Sequence, residues 1–130
     1  MTGRECGPGQ GERGSVTIVA AGLLTVVLVL ALGLADLSRV VVATAKAQTA
    51  ADAAALAAAQ ELALPTGLDP TQVAADYAVR DGGILDGCSC PPGGAEVTVW
   101  VRVSVGGLLL FADDLTVSAA ARAVVDLPGG

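Results

Sequence analysis

Histidine is absent from this 130-residue chain, and Trp, Tyr and Phe occur once each. The first absence removes the commonest general base and metal ligand, and the second removes the aromatic platform on which single-stranded nucleic acid stacks. Lys and Arg together number only seven and form no cluster, so no basic patch exists for phosphates and nucleic acid is excluded as a partner. The Ser residues lack any nucleophile context, which with a single Tyr leaves acid–base and nucleophilic catalysis without parts. No Gly-rich stretch stands between a strand and a helix, so phosphate-loop readings fall as well. We read the chain as a non-enzyme without cofactor or metal. Proline and glycine are also missing from Leu34 to Leu64, so nothing there breaks a helix.

What the chain does have is small aliphatic side chains: 53% of its residues are hydrophobic, mostly Ala, Val and Leu. They are concentrated first in Gly14–Ala35, GSVTIVAAGLLTVVLVLALGLA, which carries no charge. A helix of about 20 apolar residues at about 1.5 Å per residue matches a hydrocarbon core of about 30 Å, so this stretch reads as a membrane span. The arm Met1–Arg13 is Gly-rich and polar and reads as disordered. It also fits the n-region of an export signal, with Gly33-Leu34-Ala35 as a cleavage site that would release a small secreted domain. The apolar run exceeds the usual h-region of about 7–15 residues, which favours a retained anchor. Cys6 precedes the run and reads as an exposed thiol.

Net charge is −6, and all of it arises beyond the span, where acidic residues outnumber Arg39, Lys46, Arg80, Arg102 and Arg122. Arg4 and Arg13 precede the span while Arg39 and Lys46 follow it, so the positive-inside rule alone leaves the orientation open. From Asp36 to Leu64 the Ala-rich sequence continues the helix outside the membrane, with Asp36/Arg39 and Gln48/Asp52 at facing spacings. Polar residues spread around this wheel with Ala between them. Such a smooth helix suits lateral packing against other helices, a second copy included, with a surface stalk as the plain alternative.

The segment from Arg13 to Glu61, RGSVTIVAAGLLTVVLVLALGLADLSRVVVATAKAQTAADAAALAAAQE, resembles the N-terminal half of the TadE/TadG-like proteins of tight-adherence (Flp) pilus-assembly loci. The resemblance is carried by Arg13-Gly14, Asp36, Gln48, Asp52 and the Ala53–Ala57 run with Leu56, and is nearest the short actinobacterial TadE-like members found beside secretion genes. It implies a membrane-anchored minor pseudopilin or assembly component of a pilus or secretion apparatus, with the N-terminus cytoplasmic and the C-terminal part outside. It also implies prepilin-type cleavage between Gly14 and Ser15. The chain departs from the pilin pattern at the fifth position after that cut, where the usual Glu is Val19. An accessory subunit of an envelope secretion complex unrelated to pili is the remaining alternative.

Beyond Leu64, Pro65-Thr66-Gly67 stops the long helix, and Asp69 or Thr71 beside Pro70 caps a second helix over residues 70–80. Its stripe Val73, Ala74, Tyr77 and Ala78 is expected to rest on a sheet, with Tyr77 in the core. Asp81-Gly82-Gly83 ends it. In Ile84–Gly94, Cys88 and Cys90 form a C-x-C. With no His and no second pair a zinc site fails, which leaves a small-ring disulfide or free thiols. Relatives often carry a helix-borne partner Cys, but none exists here between Asp36 and Gly87.

Glu96–Val105 alternates strictly, with five Val on one side and Trp100 and Arg102 on the other, the pattern of a half-buried strand. Leu115–Leu127 repeats the theme and should pair with it antiparallel. Asp113-Asp114 reads as a solvated turn before it. Between the strands, Gly106–Phe111 is an apolar loop that covers the core end, touches the bilayer surface or meets a partner, so Leu109, Phe111 and Trp100 are the candidate contact residues. The expectation is an α+β, pilin-like, single-pass protein: arm 1–13 in the cytoplasm, span 14–35, helical continuation 36–64 and a small head 65–130.

Overall fold

The structure, a computed structural model, describes Gly3, residues 10–111 and residues 113–126, with side chains from Gly14 onward. Cys6, Leu127 and most of the arm expected to be disordered lie outside the described residues. Helix α1 runs without interruption over Gln10–Ala63, taking in both the apolar run and the Ala-rich continuation. At about 1.5 Å per residue its 54 residues reach about 80 Å, more than twice a bilayer's hydrocarbon core. From Gly14 to Ala31 every side chain is exposed, so the apolar half of α1 packs on nothing within the chain. This segment is long and apolar enough to cross a membrane. The Thr25 hydroxyl donates to the Ala21 carbonyl at 2.8 Å, so this polar group within the apolar half of α1 meets its need inside the helix.

Helix α2 spans Pro70–Arg80. Asp69 caps it by accepting from the Thr71 amide, Pro70 fills the first turn where no donor is needed, and the end closes as a Schellman motif. There Gly82 takes φ +80° while the Gly83 amide donates to the Ala78 carbonyl and the Gly82 amide to the Val79 carbonyl. Three strands follow, β1 Ile84–Ser89, β2 Glu96–Val105 and β3 Leu115–Val124, in one antiparallel sheet with β2 in the middle.

The register explains the core. Val97, Val99, Val101, Val103 and Val105 stand opposite Ala123, Ala121, Ala119, Val117 and Leu115, so one face of the β2–β3 hairpin is a continuous aliphatic surface. All five β2 valines are buried, and they meet the Ala face of α1, where Ala47, Ala50, Ala51, Ala54 and Ala58 have no exposed surface. Alanine on the helix lets the sheet approach closely, and the branched valines fill the space. Two clusters result: a distal one around Ala50–Ala59, α2 and Val97–Val101, and a smaller one nearer the apolar run made of Ala43, Ala47, Val103 and Val105.

Two features differ from expectation. Helix α2 buries Ala74 and Ala78 in the distal cluster, but Tyr77 is 40% exposed, with Arg80 over its ring at 5.1 Å. An Ala surface leaves no depth for a phenol ring, so Tyr77 lies along a groove beside Glu61 and Leu68 instead. The strand β1 was also not anticipated. Its pairing with β2 shifts between Leu85 and Gly87, a bulge at Asp86 that spoils the period-two pattern.

Candidate functional site

Two carboxylates on α1, 25 positions apart, fasten the head to the helix at its two ends. Asp36 follows the apolar run directly and is only 4% exposed, although Leu37 beside it faces outward. Its Oδ1 accepts from the Leu109 amide and its Oδ2 from the Leu110 amide, each at 2.8 Å. Arg39, one turn on, brings its guanidinium to 3.9 Å. The Leu109 amide most of all, then Leu110 and Arg39, holds the Asp36 carboxyl below its ordinary pKa against the opposing effect of desolvation. A carboxylate suits the place because two converging N–H groups need two acceptor oxygens.

Glu61 repeats the device at the far end. Its carboxylate accepts from the Thr66 amide at 2.7 Å, from the Thr66 hydroxyl and from the Leu68 amide at 3.1 Å, while Gly67 turns at φ +94°. The Thr66 hydroxyl is the chief reason its pKa also lies below the ordinary value. Sequence reasoning passed over Glu61, although a carboxylate one turn before Pro65-Thr66-Gly67 is suited to capping the amides of that turn.

Of the motif residues, Asp36 thus works inside the molecule, whereas Gln48, Asp52 and Leu56 lie in a row on the side of α1 that the head leaves open. Gln48 Nε2 donates to Asp52 Oδ1 at 3.0 Å, and Leu56 is 57% exposed. Their spacing of four residues makes one ridge, back to back with the buried Ala50, Ala54 and Ala58. The exposed apolar surface of the first half of α1 runs on into this side through Leu34, Leu37, Val41 and Val42, all more than half exposed.

Gly14 and Ser15 are exposed within α1, and nothing stands within 4 Å of a Cβ placed on Gly14. Cys88 in β1 and Cys90 just after it both pack half-buried on the distal core, with their sulfurs placed together as a disulfide pair and their Cα atoms 5.6 Å apart. Trp100 projects from the outer sheet face with its ring edge over Gly87. Leu109 and Phe111 belong to the loop that Asp36 holds, and Phe111 helps line an apolar groove of about 350 Å³ with Gly33, Leu37, Val40, Leu108 and Leu115. The candidate residues therefore fall into separate places, and among the described residues no group of three or more His, Cys, Asp or Glu side chains could hold a metal ion.

The arrangement offers surfaces and fastenings, and the comparison with known families agrees in kind. Residues 14–61 match the family model of putative Flp pilus-assembly TadE/G-like proteins. No curated protein and no solved structure matches the chain. The TadE/G-like segment begins with the apolar run and ends at Glu61, so it takes in the exposed half of α1 and the whole stretch of helix between the two fastening carboxylates. The sheet and α2 lie outside it.

Proposed function

We propose that the chain is a single-pass, membrane-anchored component of pilus or secretion-apparatus assembly, a minor pseudopilin that works through helix packing and protein–protein contact. The observation that carries this reading is the TadE/G-like match over residues 14–61. In support, Gln48, Asp52 and Leu56 form the ridge of α1 that faces away from the head and is free to meet other assembly proteins or a second copy. The N-terminus is on the cytoplasmic side and the head outside, which puts the Cys88–Cys90 pair in an oxidising compartment. Gly14–Ser15 is the processing site if a prepilin-type peptidase acts on the chain. Val19, in place of an acidic residue, argues for a minor position in any filament. Trp100, on the sheet face opposite α1, is a second contact point.

The test is in-cell photo-crosslinking from positions 48, 52 and 56 of the full chain, combined with N-terminal sequencing of the membrane-extracted protein. We expect crosslinks to pilus or secretion-assembly proteins, or to a second copy, and a mature chain beginning at Met1 or Ser15. A mature chain lacking the first 35 residues would overturn the anchor in favour of a secreted domain. Crosslinks confined to an envelope complex without pilus components would overturn the pilus reading in favour of an accessory subunit.

A further inference from the structure

The loop between β2 and β3 stands where the span ends, and its surface has the wrong chemistry for water. Leu109 is 54% exposed, Leu110 47% and Phe111 65%, and Leu115 beyond the turn is 45% exposed. A Cβ placed on Gly33 would lie 3.8 Å from Leu110 Cδ1, so the loop reaches back to the last turn of the apolar run. Together with Leu34, Leu37 and Val41 it makes an apolar collar along one side of α1 at this level. Asp36, which in sequence marks the end of the span, does not interrupt the collar, because the loop itself covers its carboxylate. Beyond residue 35 the first exposed charge on α1 is Arg39, whose long side chain can reach outward to the headgroups.

A loop approaches the hydrocarbon edge of a bilayer at lower cost where its amides are satisfied from within. The Leu109 and Leu110 N–H groups both point inward to Asp36, and the three tip side chains keep about half or more of their surface exposed. We propose that Leu109, Leu110 and Phe111 dip into the outer-leaflet interface as a second, monotopic membrane contact that holds the head upright against the bilayer. The proposal rests on the reading of residues 14–35 as a span. Lipid rather than a soluble protein is the occupant because the loop is continuous with the lipid-facing surface of α1 and level with Gly33, where a soluble partner would itself have to enter the membrane. The exposed pair Asp113-Asp114 bounds the inserted stretch and marks zwitterionic rather than anionic lipid as its surface.

The test uses the full chain with Trp100→Phe, which removes the native indole, reconstituted in phosphatidylcholine vesicles. An indole introduced by Phe111→Trp should emit at shorter wavelength than in denaturant, resist acrylamide, and be quenched more by nitroxide lipids labelled near the glycerol than by those labelled deep in the acyl chain. A parallel Leu24→Trp chain reports the span and should be quenched most by the deep label. Acrylamide quenching at position 111 equal to that in denaturant, with the position 24 indole protected, would overturn the loop contact and leave the span standing. Shielding at position 111 from both acrylamide and lipid nitroxides would assign the loop to a second copy and also overturn the proposal. Loss of deep quenching at position 24 would remove the span on which the proposal rests.

Discussion

Gly83 sits where α1, α2 and β2 meet, and it has no room for a side chain. A Cβ there would stand 2.5 Å from Val101 Cγ1 and 3.2 Å from Ala50 Cβ. Val101 is β-branched and fully buried, so it cannot swing aside. Gly→Ala gains about 0.4–1 kcal/mol by restricting the unfolded chain, whereas overpacking a tight core costs about 1–3 kcal/mol, so the clash wins. We expect Gly83→Ala to destabilise the head by about 1–2 kcal/mol in urea unfolding followed by Trp100 fluorescence in micelles. Gly106→Ala is the control: nothing lies within 4 Å of its Cβ and its φ is not positive, so stability should hold or rise slightly.

The two carboxylates add a pH dependence whose sign is fixed. Both folded-state pKa values lie below the ordinary ones, so their contribution is present above the ordinary value of about 4 and is lost as pH falls through the folded values. Acid unfolding should therefore set in below about pH 4, and Asp36→Asn with Glu61→Gln should flatten the stability curve there. An unchanged acid limb in the double variant would remove these groups as its cause. Asp36 was legible in the sequence as a motif residue, but its task was not, because its amide partners lie 73 and 74 positions away. Tyr77 was misread for a related reason: the helical period put it on the apolar stripe without showing that the opposing surface was alanine.

At the scale of elements, local pattern was a good guide wherever one physical rule held throughout. Asp69-Pro70 and Asp81-Gly82-Gly83 bounded α2, and the five alternating valines bounded β2, because caps and strand period are short-range properties. β1 broke the rule: Gly87 and the bulge at Asp86 take it out of alternation, and what defines it is its pairing with the β2 edge beside it, a contact between segments that no local pattern reveals. The same packing gives the two sides of α1 opposite tolerances. Ala54 has no exposed surface beneath the sheet, and Ala54→Leu should cost about 1–3 kcal/mol by forcing the strands away. Ala45 is exposed on the other side, and Ala45→Leu should leave urea unfolding within about 0.5 kcal/mol of the parent. Equal losses at the two positions would mean that the sheet does not rest on this face.

For the molecule as a whole, α1 is divided into a side that the head covers and a side that folding leaves unused, and the difference can be measured. Leu56 belongs to the TadE/G-like segment yet is 57% exposed, so the head's stability has little use for it. Its neighbour Ala55 is 2% exposed in the distal core. A charge at position 56 stays in water and should shift stability by no more than about 0.5 kcal/mol, whereas a charge at position 55 would be buried without a partner and unfold the head. Leu56→Arg should thus give a chain that reaches the membrane in normal amount and unfolds normally in urea. If the ridge is the docking surface, the same chain loses crosslinking from positions 48 and 52 to its assembly partners. Ala55→Arg should fail earlier, with loss of the folded head and of the protein from the membrane fraction. Leu56→Arg with undiminished crosslinking would move the docking surface off this ridge and leave Trp100 on the outer sheet face as the place to look.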